Sequence, residues 1–352
     1  MRFAEVLDIR NGRNQRQVEN KNGKYPIYGS GGIMGRADDF LCEAETVVIG
    51  RKGSINNPIY VDEPFWNVDT AFGLVAHKDV LLPKYLYYFC VNFDFEKLNT
   101  TVTIPSLTKA NLLQIEISIP DMDKQRYIVG VLDRVCHLIE LRQQELRELD
   151  QLVKSRFIEL FGSVEVNVFG FETIKIKDAC DLINGKAFKP EDWSETGLPI
   201  VRIQNLNNDQ APFNFFNGEI KEQYLIDTGE LLFSWSGTPG TSFGAFFWNR
   251  GKAVLNQHIF RVKPKIEFNL SFLQFALNGR IDHIISKAHG GVGLQHITKK
   301  ELDEVELLLP AIELQNQFAA FVKQTDKSKL AVQQGLQELE ILKKSLMQQY
   351  FG

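Results

Sequence analysis

The sequence predicts an α+β fold written twice, with two globular, turn-rich modules alternating with two long helices. Three observations carry this expectation. Residues 108–162 recur at 298–352 without a gap, both copies carry an apolar stripe of helical spacing, and the remaining stretches are short β-branched or aromatic runs between turn residues. The repeat predicts four segments: a first module over 1–107, a helical region over 108–162, a second module over 163–297 and a second helical region over 298–352.

In the first module the runs "TVVIG", "NPIYV" and "AFGLVAH" read as strands, followed by a helical segment in "PKYLYYFCVNFDFEKL". The second module repeats this texture with "GELLFSW", "GAFFW" and "HIFRV", then "LSFLQFALNGRIDHII". Fragments align between modules: "DIRNGR" with "DLINGK", "YPIY" with "LPIV", and "VVIGRKGS" with "LLFSWSGT". The offset grows from 173 to 190 along the chain, so the second module carries about 17 extra residues.

Of the 55 paired positions in the helical regions, 16 are identical, among them Thr108/Thr298, Lys109/Lys299, Pro120/Pro310, Gln125/Gln315 and the closing Phe-Gly. Leu132, Val135, Ile139, Arg142, Leu146, Leu149, Val153, Arg156 and Leu160 step by three and four. The second copy runs Val322, Thr325, Lys329, Val332, Leu336, Leu339, Lys343, Leu346 and Tyr350. Such spacing is the seam of a coiled coil, and two matching seams in one chain predict that the helices pack on each other. A helix over 124–160 is a rod of ~55 Å at 1.5 Å per residue.

Composition excludes several classes. Of 352 residues, 44% are hydrophobic and 24% charged, an ordinary globular balance. The net charge of −4 gives no global support to nucleic-acid binding, so such binding must come from local surfaces. Cys42, Cys90, Cys136 and Cys180 are far apart, which argues against a disulfide framework or a zinc cage and fits a reducing cytoplasm. No apolar run approaches a membrane span, and a cytoplasmic, membrane-free location is expected.

Catalytic motifs fail on inspection. "GSGGIMG" and "HGGVG" miss the dinucleotide and phosphate-loop patterns. "NPIY" resembles the Asn-Pro-Pro-Tyr of amino-methyltransferases but has Ile59 at the third place and no glycine-rich cofactor loop before it. The six histidines lack metal-ligand spacing and no nucleophile elbow appears. No catalytic centre, metal site or bound cofactor is expected.

What remains points to recognition. The first 36 residues hold seven Lys/Arg against three acids, a net +4 able to neutralise phosphates, although a solvated loop would read the same way. Loops rich in amide, hydroxyl and basic groups recur at corresponding places: Arg51, Lys52 and Ser54 with Trp235, Ser236 and Thr238, then Asn67, Asp69 and Thr70 with Asn256, Gln257 and His258. These side chains can read base edges, and turn formation explains any one of them alone. Further candidates are Arg13, Lys24, Tyr28, Ser30 and Thr103 in the first module and Arg202, Gln204, Asn205, His289 and Gln295 in the second.

The pattern Thr-Lys-x-x-Leu, then Pro and Gln, running into a long seam, written twice beside two dissimilar modules, resembles the specificity (S) subunit of Type I restriction–modification systems. The resemblance covers essentially the whole chain. It implies two target-recognition domains, each reading half of a bipartite double-stranded DNA site, and helices paired as an antiparallel coiled coil with pseudo-twofold symmetry. It implies as partners two methyltransferase (M) subunits and, in the full nuclease, restriction (R) subunits. AdoMet, ATP and Mg²⁺ would then belong to those partners. The alternative reading is an adaptor whose modules bind protein or carbohydrate and whose coil spaces them.

Overall fold

A computed structural model describes residues 1–99, 106–238, 240–291 and 294–352. The chain divides into two compact units, one of 1–145 with 332–352 and the other of 146–331.

The same sheet is built in each. In unit 1 the order is Leu7–Asn11, Ala71–Ala76, Thr46–Gly50, Ile59–Val61, antiparallel throughout. In unit 2 it is Cys180–Asn184, Ile259–Pro264, Glu230–Ser234, Gly244–Trp248, again antiparallel. "TVVIG" is buried at every position because the sheet is covered on both faces, which an alternating strand could not tolerate. A second sheet repeats as well. Tyr25–Gly29 runs parallel to Trp66–Asn67 and antiparallel to Gly32–Ala37. Leu198–Val201 runs parallel to Ala253–Leu255 and antiparallel to Asn214–Phe216. Part of the extra length of the second module forms Leu225–Ile226, added at the edge of Ala253–Leu255.

Both expected helical segments break. "PKYLYYFCVNFDFEKL" forms Pro83–Asn92, then a 3₁₀ turn Phe95–Leu98 capped by Asp94. "LSFLQFALNGRIDHII" forms Leu270–Asn278 and Ile281–Ser286, interrupted at Gly279.

The repeated Thr-Lys-x-x-Leu explains itself physically. Thr108 and Thr298 accept from the backbone N–H three residues on, capping Lys109–Leu113 and Lys299–Asp303. Lys109 Nζ donates to Ile9 O at 3.0 Å, and Lys299 Nζ donates to Leu182 O at 3.0 Å, tying each cap to the first strand of its own sheet. Leu112 and Leu302 are buried. Gln125, fully buried, accepts from Leu82 N and donates to Val80 O and Pro120 O. Gln315 accepts from Asn269 N and donates to Pro310 O. The shared residues of the repeat thus fasten module to helix.

The long helices are Met122–Phe161 and Ile312–Phe351, 40 residues each. Every position of the two predicted stripes is buried or half-buried except Arg142, which is exposed and paired with Glu145. In unit 1 the early turns of the first helix meet the last turns of the second, with Ile128, Leu132 and Met347 in one core and Phe351 5.1 Å from Tyr85. In unit 2 the late turns of the first helix meet the early turns of the second, with Phe157 and Phe161 5.3 and 5.7 Å from Phe318 and Asp150 2.6 Å from Lys329. Early against late in both units is an antiparallel pair. The duplicated closing Phe-Gly therefore has one job done twice: Phe161 is fully buried against Phe272, and Phe351 packs on Tyr85 and Phe89.

Candidate functional site

Backbone hydrogen bonds fix which residues correspond. Arg51 N donates to Thr70 O at 2.8 Å, as Trp235 N donates to His258 O at 3.4 Å. Leu107 N donates to Arg51 O and Ile297 N to Trp235 O. Lys52 bridges to Ser106, and Ser236 pairs with His296. Arg51, Lys52, Thr70 and Ser106 thus stand where unit 2 has Trp235, Ser236, His258 and His296.

One expected match shifts by a residue. Arg13 N donates to Asn67 O and Lys186 N to Leu255 O, while Val68 N donates to Tyr28 O and Asn256 N to Val201 O. Asn67 therefore corresponds to Leu255, and Asn256 to Val68. Asp69 and Thr70 do correspond to Gln257 and His258. Asn67 is also fully buried, with its amide donating to Ala71 O at 3.2 Å, so it shapes the turn and presents nothing to a ligand.

In unit 1 the strands Leu7–Asn11, Tyr25–Gly29, Thr46–Gly50 and Trp66–Asn67 deliver their ends to one edge, where Arg13, Tyr28, Ser30, Arg51, Lys52, Ser54, Asp69 and Thr70 gather. The turn after Gly50 requires glycine: a Cβ there would lie 2.3 Å from Ser54 O, and Gly53 has a φ of +81°. Ser30 packs beside that turn, and the Arg51 guanidinium lies 5.7 Å from the Phe72 ring centre. Lys24 is apart, at the other end of Tyr25–Gly29 and over the Tyr25 ring. Thr103 lies outside the described residues.

The corresponding edge of unit 2 is richer in aromatic and imidazole groups, with Arg202 and Lys186 as its cations. Trp235 stacks on Phe260 and lies 5.5 Å from the His258 ring. Ser236 and Gly237 pair with His296 and Gln295, and His289 pairs with His296 across the neighbouring strands. Thr238 is exposed on the turn that follows, and Gln257 is exposed with Nε2 3.1 Å from His258 Nε2. Asn256 Oδ1 accepts from His258 N at 3.5 Å. Arg202 follows Val201, whose carbonyl holds Asn256, and its guanidinium lies over Trp193. Asn205 is fully buried: it accepts from Arg202 N and donates to Ala211 O and Pro212 O, a structural role like that of Asn67. Gln204 is exposed beside it.

Among the described residues, the buried polar atoms at this edge that lack a hydrogen-bond partner include Trp235 Nε1, His258 Nδ1, Gln295 Oε1 and Arg202 Nε. Buried polar groups are rarely left without a partner in folded proteins. Burial pushes the His258 pKa down, and His296 lowers it further. Glu301 is held down at about 2 by the hydrogen bond from Thr298 and then by His289, 2.6 Å away. His296 and Ser106 were missed by sequence reasoning. The signal was present, since both sit two residues before the repeated Thr-Lys. Lys186, at the place of Arg13, was missed as well; its Nζ lies 4.4 Å from the Phe216 ring centre and 3.6 Å from Asp192.

Among the described residues no cluster of His, Cys, Asp or Glu could hold a metal ion, and no helix is long and apolar enough to cross a membrane. The edges hold basic, amide, hydroxyl and imidazole groups set around strand ends, groups able to donate and accept hydrogen bonds.

The Type I restriction modification DNA specificity domain model matches residues 1–151 and 170–341. The chain is 23% identical over 342 residues to a putative type I restriction enzyme specificity subunit of Haemophilus influenzae, covering 90% of this chain and 83% of that one. It is 22% identical to the type I restriction enzyme MjaVIII specificity subunit of Methanocaldococcus jannaschii, covering 86% and 75%. The fold is that of the crystal structure of the Type I restriction-modification system S subunit from M. genitalium, with a TM-score of 0.62 at 17% identity over 100% of this chain and 95% of that one.

Proposed function

The chain belongs to the Type I restriction modification DNA specificity family, and from that premise we propose that it is the non-catalytic subunit that reads a bipartite, asymmetric DNA target. It directs two methyltransferase subunits and, in the nuclease, restriction subunits to that target, in the cytoplasm where the DNA lies. Catalysis and its AdoMet, ATP and Mg²⁺ belong to those partners.

One observation carries the reading. A duplicated fold presents different side chains at equal backbone positions: Arg51 against Trp235, Lys52 against Ser236, Thr70 against His258. A common scaffold with interchanged donors and acceptors reads two dissimilar half-sites, because base edges are distinguished by the order of such groups. Unit 1, with Arg13, Arg51 and Lys52 at its edge, adds contacts to phosphate.

The test is to purify the chain with its methyltransferase subunits and map the adenines that the complex methylates. Two dissimilar half-sites separated by unread base pairs are expected, about one helical turn, ~34 Å, apart. A single contiguous or perfectly palindromic motif would sink the proposal. A salt titration separates DNA from carbohydrate as ligand, since DNA affinity falls steeply with salt.

A further inference from the structure

Gln257 and His258 are neighbours in sequence whose side chains also touch, with amide Nε2 3.1 Å from ring Nε2. An amide nitrogen can only donate, so in this arrangement the ring nitrogen accepts, which is the neutral tautomer that carries its proton on Nδ1. That Nδ1 is buried and, among the described residues, has no partner. A second proton would make both ring nitrogens donors. The contact then survives only if the exposed Gln257 amide turns over and offers its oxygen.

Resting on the proposed reading of DNA by this edge, we infer that His258 is a specificity-determining positioning residue whose proton sets which end of the Gln257 amide faces the base. With a neutral ring whose proton is on Nδ1, Gln257 spends an N–H on His258 and leads outward with its carbonyl, which suits adenine N6 or cytosine N4. With a charged ring it leads with its NH₂, which suits guanine O6 and N7 or thymine O4. The groups facing His258 keep it neutral at ordinary pH. Burial disfavours its charge, and so does His296 on the strand paired with Ser236. Beyond His296 stands His289, ring centres 6.4 Å apart, bound to Glu301. Unit 1 has Asp69 and Thr70 at these places, where no imidazole can exchange the polarity of its neighbour.

The test uses the full-length chain and a pool of randomised duplexes, selected at constant ionic strength at about pH 8 and at about pH 4.5. The lower value is well below the ordinary imidazole range because burial holds the His258 pKa down, and NMR of the ring confirms that it is charged there. One position of one half-site should move from bases offering an amino donor to bases offering acceptors, by roughly tenfold in relative enrichment. The half-site read by unit 1 should not move. Gln257→Ala, which removes only an exposed side chain, should abolish the shift and leave the other positions selected. His258→Phe should give selection that no longer depends on pH. Selective binding with the same preference at both pH values overturns the inference and leaves the DNA-reading function standing. Absence of selective binding at either pH overturns both.

Discussion

Arg51 and Trp235 occupy the same backbone position in the two halves of the chain, each donating its N–H to the turn before the next strand and accepting from the residue before the Thr-Lys cap. One presents an exposed cation and the other a half-buried indole. The scaffold was duplicated; the groups that it displays were not.

Arg51→Ala should weaken binding to every duplex alike and flatten the slope of log affinity against log salt by about one unit, the signature of a lost phosphate contact. Gln257→Ala should instead cost roughly 1–3 kcal/mol at one position of one half-site and leave the salt slope unchanged. Equilibrium binding at several salt concentrations measures both. Unchanged slopes and preferences in the two variants would move the reading surface elsewhere.

Gln125→Leu strands the Leu82 N–H and the carbonyls of Val80 and Pro120 without their partner, inside a buried junction. A loss of roughly 2–4 kcal/mol is expected, because unsatisfied buried groups bear the full desolvation cost. Urea unfolding checks it, and hydrogen exchange at Leu82 should lose protection. Gln315→Leu should do the same at Asn269.

Glu304 receives hydrogen bonds from Lys175 and Lys177, which hold its carboxyl down from the ordinary 4.5 to about 2. A depressed carboxylate stabilises the fold above its unfolded value and loses that contribution as pH falls through the folded one. Glu304→Gln should therefore lower the thermal midpoint near neutral pH, and the difference from the parent should close between about pH 4.5 and about pH 2. A gap that stays constant down to acid would show that these ion pairs contribute nothing.

Removing a heptad from each long helix, 143–149 and 333–339, keeps both stripes in phase. Methylation mapping of the assembled complex should then return the same half-sites with a shorter gap, or no methylation where no shorter gap fits. The original gap, retained, would exclude the helices as the ruler.

Much of the fold was legible in sequence for a local reason. The stripes through Leu132 and Val332 repeat every 3.5 residues, and the gapless copy at 298–352 showed that whatever the first helix does, the second does too. The Thr108 and Thr298 caps and the apolar strand runs are likewise short-range signals. The register around Asn67 was not legible. A turn-rich stretch carries no periodicity to lock an alignment, and a one-residue slip passes unnoticed there.

The sequence by itself determined the duplicated architecture, the α+β texture, the long helices and the family resemblance, since these rest on periodicity and repetition along the chain. Only the tertiary structure decided what the repeated residues are for. Lys109 reaches a carbonyl 100 residues away, and Phe351 closes the core that Phe3 begins. Only the fold showed that Asn67 and Asn205 are spent inside while Gln257, His258, His296 and Gln295 meet at one edge. Burial and hydrogen-bond partners are properties of space, set by strands distant in sequence, and a list of polar loop residues does not contain them.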